Sequence, residues 1–152
     1  MKIWQAIKET VNDLTIYTSQ SQEDSEIEVK EIFTHVLNIS KPSLYKKYDY
    51  CISKYDLAKI NHILSLRKND IPLSYILNSH TFYKNEFHID ENVLIPRSET
   101  ESIVDKIIEI GDSIFQRENR CVFLDAGTGS GCVGISIANE RPKWNIILSD
   151  LY

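Results

Sequence analysis

The chain has 152 residues, 42% hydrophobic and 26% charged, enough for one ordinary domain or a small domain plus part of another. Its 17 basic and 22 acidic side chains give a formal net charge of −5, which argues against broad nucleic-acid binding, since polyanions are held by cationic surface. No stretch approaches the ~20 apolar residues of a membrane span, and Lys8, Glu9 and Asp13 interrupt the N-terminal region where a signal peptide needs an apolar core. The expected location is cytoplasmic.

The first half reads as helices. Ile3, Ile7, Val11 and Leu14 recur every three or four residues, the buried face of an amphipathic helix. The polar run "QSQEDSE" breaks it, and Val29, Ile32, Phe33, Val36 and Leu37 form a second stripe. That helix ends in "NISKPS", because Pro42 disfavours helical geometry at Lys41. Ser53 and Asp56 then have the spacing of a helix cap, ahead of a third stripe made by Leu57, Ile60, Ile63 and Leu64. "RKND" and Pro72 close it.

After Pro72 the character changes. "HTFYKNEFHIDENVLIP" is rich in aromatic and β-branched residues and suggests a hairpin with polar turns at Lys84-Asn85 and at Asp90-Glu91-Asn92. A helix begins at Pro96, with Ser98 and Glu101 at the spacing of a capping box. Ile103, Val104, Ile107, Ile108 and Ile114 give its buried face, which Gly111 weakens. "RCVFLD" reads as a buried strand, "CVGISIANE" as a helix stopped by Arg141-Pro142, and "WNIILSD" as a second buried strand. Strand, loop, helix, strand is a βαβ unit, whose crossover makes the strands parallel.

Between the first strand and its helix lies "DAGTGSGCVG", which holds four of the five glycines of the chain. Glycine lets backbone approach a ligand closely, and the N-terminus of a helix receives polar groups. Asp150 ends the next strand, roughly 20 residues on, where an acid accepts the hydroxyls of an adenosine ribose. Two ligands compete. Gly129-x-Gly131-x-x-Gly134 fits a dinucleotide fingerprint, whereas Asp125 followed by Gly127-x-Gly129-x-Gly131 resembles the first motif of class I S-adenosylmethionine-dependent methyltransferases. An acid at the strand end repels a pyrophosphate and suits the cationic methionine end of the methyl donor.

The segment upstream is more specific. "IPLSYILNSHTFYKNEFHIDENVLIPRSETE" resembles the linker of the protein-(glutamine) methyltransferases that modify peptide chain release factors. Their pattern has a Pro-led short helix, an aromatic hairpin and a Leu-Ile-Pro-Arg-x-Glu-Thr-Glu run, here Leu94 to Glu101 with Ser98 where proline is common. The likeness continues through "FLDAGTGSGCVGISIANERP" to Asp150. Asn78 stands where glycine is usual, and Ala126 where leucine is frequent.

The resemblance implies an α/β architecture: a helical substrate-recognition domain over 1–77, a hairpin linker over 78–96, and over 97–152 the first part of a Rossmann-like donor-binding domain. It implies S-adenosyl-L-methionine as cofactor, held by Gly127, Thr128, Gly129, Ser130 and Gly131, with Asp150 on the ribose. The implied reaction methylates the side-chain amide nitrogen of the glutamine in the Gly-Gly-Gln loop of peptide chain release factors. The family orients that amide with an Asn-Pro-Pro-Tyr motif, which does not occur among the four prolines here. The expectation is therefore a fragment or truncated product with the donor half of the site, no catalytic residue of its own and no transfer activity alone. The rival readings are a nicotinamide-dependent oxidoreductase fragment and a non-catalytic module that binds release factors.

Other residues have plainer readings. Arg97, Glu99 and Thr100 stand near the implied site, but capping or exposure accounts for them equally well. Trp4 and Trp144 read as packing residues. Tyr45, Tyr48, Tyr50 and Tyr55 read as core or interface packing, with no basic patch beside them. Cys51, Cys121 and Cys132 lack CxxC spacing and read as free, mostly buried thiols. Cys132 opens a helix, where a thiol pKa falls. His35, His62, His80 and His88 show no metal-ligand spacing, so no zinc site is expected.

Overall fold

The computed structural model describes residues 1–151. The chain divides into two compact units, one up to Leu77 and one from Asn78.

The first unit is helical. Helix α1 (Ile3–Thr18) buries Ile3, Ile7, Val11 and Leu14, the residues of the first stripe, and ends at Ser19 in the left-handed region (φ 56°). Helix α2 (Gln22–Leu37) is capped by Ser21, whose hydroxyl accepts from the Asp24 amide at 3.1 Å. It ends at Asn38 (φ 50°), a residue type that tolerates this conformation. Helix α3 spans Lys41–Lys46. The end of α2 within "NISKPS" is as expected, but the reason is not: Lys41 is helical, and Pro42 sits in the first turn of a new helix. A first-turn residue needs no intrahelical N–H partner, so proline is tolerated there. Helix α4 (Lys54–Arg67) opens on Ser53, which accepts from the Asp56 amide at 3.0 Å. The short α5 covers Leu73–Leu77.

Leu14, Val29, Ile32, Phe33, Leu44 and Ile60 are fully enclosed and form the centre of the core. Arg67 of α4 donates to Glu28 of α2 in a largely enclosed ion pair, and donates again to the Ile71 carbonyl at 2.7 Å. Trp4 is 41% exposed, against its packing assignment. It sits on the outward side of α1, whose buried stripe runs through its neighbours Ile3, Ala6 and Ile7.

The second unit begins with an antiparallel hairpin, β1 (His80–Phe82) and β2 (Asn85–Phe87), in the register His80↔Phe87 and Phe82↔Asn85. The tight turn is Tyr83-Lys84, one residue earlier than expected, with Tyr83 at φ 58°. The physical reason is burial. This register turns both Phe82 and Phe87 inward, where their rings meet edge to face at 6.3 Å. The second turn forms where expected, with Asp90 accepting from the Asn92 amide at 2.9 Å.

Ser98–Thr100 make a single 3₁₀ turn, and α6 runs from Glu101 to Glu118. The helix therefore starts later than Pro96, and the capping box does not form. The Glu101 carboxylate instead accepts from the Tyr83 amide at 2.7 Å, because the hairpin turn lies beside it. Val104 is enclosed, whereas Ile103 is 52% exposed.

Strand β3 (Val122–Ala126), helix α7 (Cys132–Glu140) and strand β4 (Asn145–Ser149) follow, and the strands pair in parallel from Val122↔Asn145 to Ala126↔Ser149. Neither strand is buried as expected. Val122 and Leu124 are 49% and 58% exposed, and Ile147 and Leu148 are 46% and 41%. Among the described residues this sheet has only two strands, with α7 packed on it. Exposure alternates along β3, as strand pleating requires, whereas in β4 the adjacent Ile147 and Leu148 both face water.

Two glycines set the packing. A Cβ on Gly111 of α6 would lie 2.0 Å from the Trp144 ring, and one on Gly134 of α7 would lie 2.0 Å from Leu148 Cδ2. Trp144 is buried as expected, and Gly111 is the flat seat it rests on rather than a weak point. Arg141 closes the end of α7 by donating twice to Asp112 of α6, both at 2.6 Å.

Candidate functional site

The glycine loop spans the C-terminal end of β3 and the first turn of α7. It doubles back sharply: Gly127, Gly129 and Gly131 have φ of 75°, 55° and 77°, values that cost a side-chain-bearing residue roughly 1–2 kcal/mol. The amides of Gly127 and Thr128 donate to the Ser149 carbonyl at 2.8 and 3.1 Å, which ties the loop to the end of β4. The Gly131 amide donates to the Thr128 carbonyl at 2.9 Å and closes the turn.

Two carboxylates hold this loop. Asp125, at the end of β3, accepts at one oxygen from the Thr128 hydroxyl (2.8 Å) and from the Gly134 amide (3.0 Å). It thus clamps the loop's entry to the first turn of α7. Asp150, just past β4, accepts from the Gly129 amide at 2.7 Å with one oxygen and from the Leu151 amide at 2.7 Å with the other. The Gly129 amide, and after it the Leu151 amide, hold the Asp150 carboxyl below the ordinary aspartate value of 3.8. It carries full charge at neutral pH.

All six residues singled out from the sequence therefore lie together at one end of the parallel pair. Gly127 and Gly129 are exposed, Thr128 and Ser130 half-buried, Gly131 buried and Asp150 exposed. A Cβ added at Gly127 or Gly129 meets nothing within 4 Å, so open space stands directly over the backbone of the loop. Gly131 differs: a Cβ there would crowd Ile135 Cδ1 at 2.8 Å. The arrangement combines a fixed anion, able to accept hydrogen bonds, with bare backbone and a helix N-terminus.

Asp125 and Gly134 belong to this construction although they were not among the six. Their signal was present in the sequence as the D-x-G-x-G-x-G run and the third glycine of the fingerprint. The clamp itself depends on distances that only the fold supplies. Cys132 is buried, as read from the sequence, but the lowered thiol pKa that a helix start suggests does not follow. Burial pushes its thiol above the usual cysteine value, against the opposing pull of the Ser130 side chain and the first-turn amides. Enclosure beneath the loop outweighs the helix terminus. Among the described residues no group of three or more His, Cys, Asp or Glu is placed to hold a metal ion, and no helix is long and apolar enough to cross a membrane.

The comparisons with known proteins agree in direction. The family described as "PrmC N-terminal domain" matches residues 9–77. A release factor glutamine methyltransferase of Mycoplasma mycoides subsp. mycoides is 37% identical over 124 residues, which is 82% of this chain and 43% of the relative. One from Leptospira interrogans is 33% identical over 125 residues, 82% of this chain and 43% of the relative. One from Chlorobaculum tepidum is 26% identical over 151 residues, 99% of this chain and 51% of the relative. The chain spans about half the length of the curated relatives it matches.

Proposed function

We propose that in this chain, which belongs to the release factor glutamine methyltransferase family, the second unit is the opening of a Rossmann-like domain that binds S-adenosyl-L-methionine. The protein it belongs to then methylates the glutamine amide of the Gly-Gly-Gln loop in peptide chain release factors. The carrying observation is the pairing of Asp150 with the Gly129 amide beneath open space. A cradle that a Cβ would fill, beside a charged carboxylate, fits an adenosyl donor.

In this reading Gly127, Thr128, Gly129, Ser130 and Gly131 hold the methionine and ribose portion, and Asp150 accepts from the ribose hydroxyls. Bound there, the cofactor supplies an electrophilic methyl on a sulfonium centre. Asp125 keeps Thr128 and the first turn of α7 in register. The helical unit, 1–77, recognises the substrate, and 78–96 links it to the donor domain of 97–152. A cytoplasmic location goes with such a substrate. An amide nitrogen is a poor nucleophile, so the reaction is driven by orientation and electrostatics. The Asn-Pro-Pro-Tyr group that performs this orientation in the family is not in the 152 residues.

The test is titration calorimetry of the 152-residue chain with S-adenosylhomocysteine and with NADH. Binding of the first alone is expected. Binding of NADH in preference would replace this reading with the oxidoreductase one.

A further inference from the structure

Between residues 41 and 59 the chain carries five lysines and four of its eight tyrosines, against two aspartates, although its formal charge is −5. The sequence reading that no basic patch accompanies these tyrosines is thereby corrected. All five lysines are exposed, and Tyr45, Tyr50 and Tyr55 are 53%, 63% and 70% exposed. Only Tyr48 of the four packs against the core. The two acids are otherwise engaged. Asp56 accepts from the Ser53 hydroxyl at 2.6 Å in the cap of α4, and Asp49 pairs with Lys2 at 2.9 Å.

The stretch comprises α3, the connection that follows and the start of α4. Backbone hydrogen bonds fasten it to the start of α1. The Ile3 amide donates to the Tyr50 carbonyl at 2.9 Å, Trp4 to Tyr48 at 3.1 Å, and Ile52 to Met1 at 3.1 Å. Trp4, exposed and unexplained by packing, is thereby brought to the same end of the helical unit. The Tyr45 and Tyr48 rings meet at 5.2 Å, with Lys30 5.4 Å from the Tyr45 ring, and Lys59 stands 4.5 Å from the Tyr55 ring.

Exposed aromatic rings interleaved with cations are the make-up of a protein interface: rigid anchors with a charged rim. Two polyanionic partners fit the charge. Nucleic acid is disfavoured, because the stretch has no arginine to fork onto phosphate. We propose that Trp4, Tyr45, Tyr50 and Tyr55, rimmed by Lys46, Lys47 and Lys54, form the surface on which an acidic segment of the protein substrate docks. The proposal rests on the reading that this substrate is a release factor. The lysines steer the encounter and the rings supply the contact that persists.

The experiment measures binding of the full chain to a purified bacterial peptide chain release factor by biolayer interferometry, at about 50 and about 300 mM salt, to either side of strong screening. K46E/K47E/K54E is expected to weaken binding about tenfold or more at low salt and far less at high salt. K8E/K106E/K143E makes the same change of charge elsewhere on exposed sites and is expected to stay within about twofold of wild type. Tyr50→Ala with Tyr55→Ala is expected to weaken binding at both salts, with the helical circular dichroism unchanged. Equal loss in both charge variants, or loss in neither, overturns the surface and leaves the substrate reading standing. Displacement of the release factor by a short single-stranded RNA overturns the choice of a polypeptide partner. Absence of wild-type binding overturns the surface and the release-factor reading together, while donor binding, measured separately, still judges the cofactor site.

Discussion

Asp150 is the residue on which the proposed reading of the glycine loop as a site, rather than a plain turn, is tested. A turn needs no charge at that point, yet two amides are aimed at this carboxylate. Because its folded pKa is depressed, the stabilisation it contributes is present above the ordinary aspartate value of 3.8 and is lost as pH falls through the lower folded value. The Gly129 amide resonance is therefore expected to hold steady from pH 7 to about 4 and to move only below that, in a proton–nitrogen correlation titration. A hydrogen bond to a charged acceptor is stronger than one to a neutral acceptor. Asp150→Asn is accordingly expected to weaken S-adenosylhomocysteine binding at least several-fold by calorimetry, and Asp150→Ala with unchanged affinity would remove the ribose assignment. Gly129→Val separates ligand from fold. Its Cβ meets nothing within 4 Å, so beyond a backbone cost of roughly 1–2 kcal/mol it is expected to abolish donor binding in a protein that still folds.

The elements show which local signals hold on their own. Ser21 and Ser53 cap α2 and α4, and replacing either by alanine is expected to cost about 1 kcal/mol in thermal or urea denaturation. Ser98 has the same spacing to an acid but makes no cap, because Glu101 is drawn to the hairpin turn. Gly111 is the sharper test. Alanine in a helix interior normally stabilises by about 1 kcal/mol relative to glycine. Here its Cβ would enter the Trp144 ring, and overpacking costs roughly 1–3 kcal/mol. Gly111→Ala is expected to lower the melting temperature, and adding Trp144→Phe to recover part of the loss. A rise in the single variant would show that the ring yields freely.

At the scale of the whole molecule the two units have unlike resources. The first encloses its core within residues 3–77. A polypeptide of residues 1–77 is therefore expected to melt cooperatively and remain helical by circular dichroism. The second leaves Val122, Leu124, Ile147 and Leu151 in water beside a two-stranded sheet. Open strand edges and apolar faces invite association. Residues 78–152 alone are expected to self-associate with concentration in sedimentation velocity, and a monomer throughout would contradict this. For the intact 152-residue chain, donor binding without methyl transfer is expected in an assay with labelled donor and an unmodified release factor. Label on the Gly-Gly-Gln glutamine at the rate of a longer family member would mean that Glu99 and Thr100 need re-examination.

The sequence by itself determined the helical stripes, the serine caps of α2 and α4, the parallel order around the glycine loop and the six residues of the candidate site. These rest on periodicity and on short-range chemistry, which the chain carries wherever it folds. Only the tertiary structure decided the turn at Tyr83, the start of α6 at Glu101, the exposure of the β3 and β4 faces, and the raised thiol of Cys132. It also decided that Gly111 seats a tryptophan and that Tyr45, Tyr50 and Tyr55 stand in water among lysines while Tyr48 packs on the core. Each of these depends on what packs against a residue from far along the chain. A hydrophobic run states that burial is sought, but the neighbour that provides it, or leaves it open, is set by long-range contact.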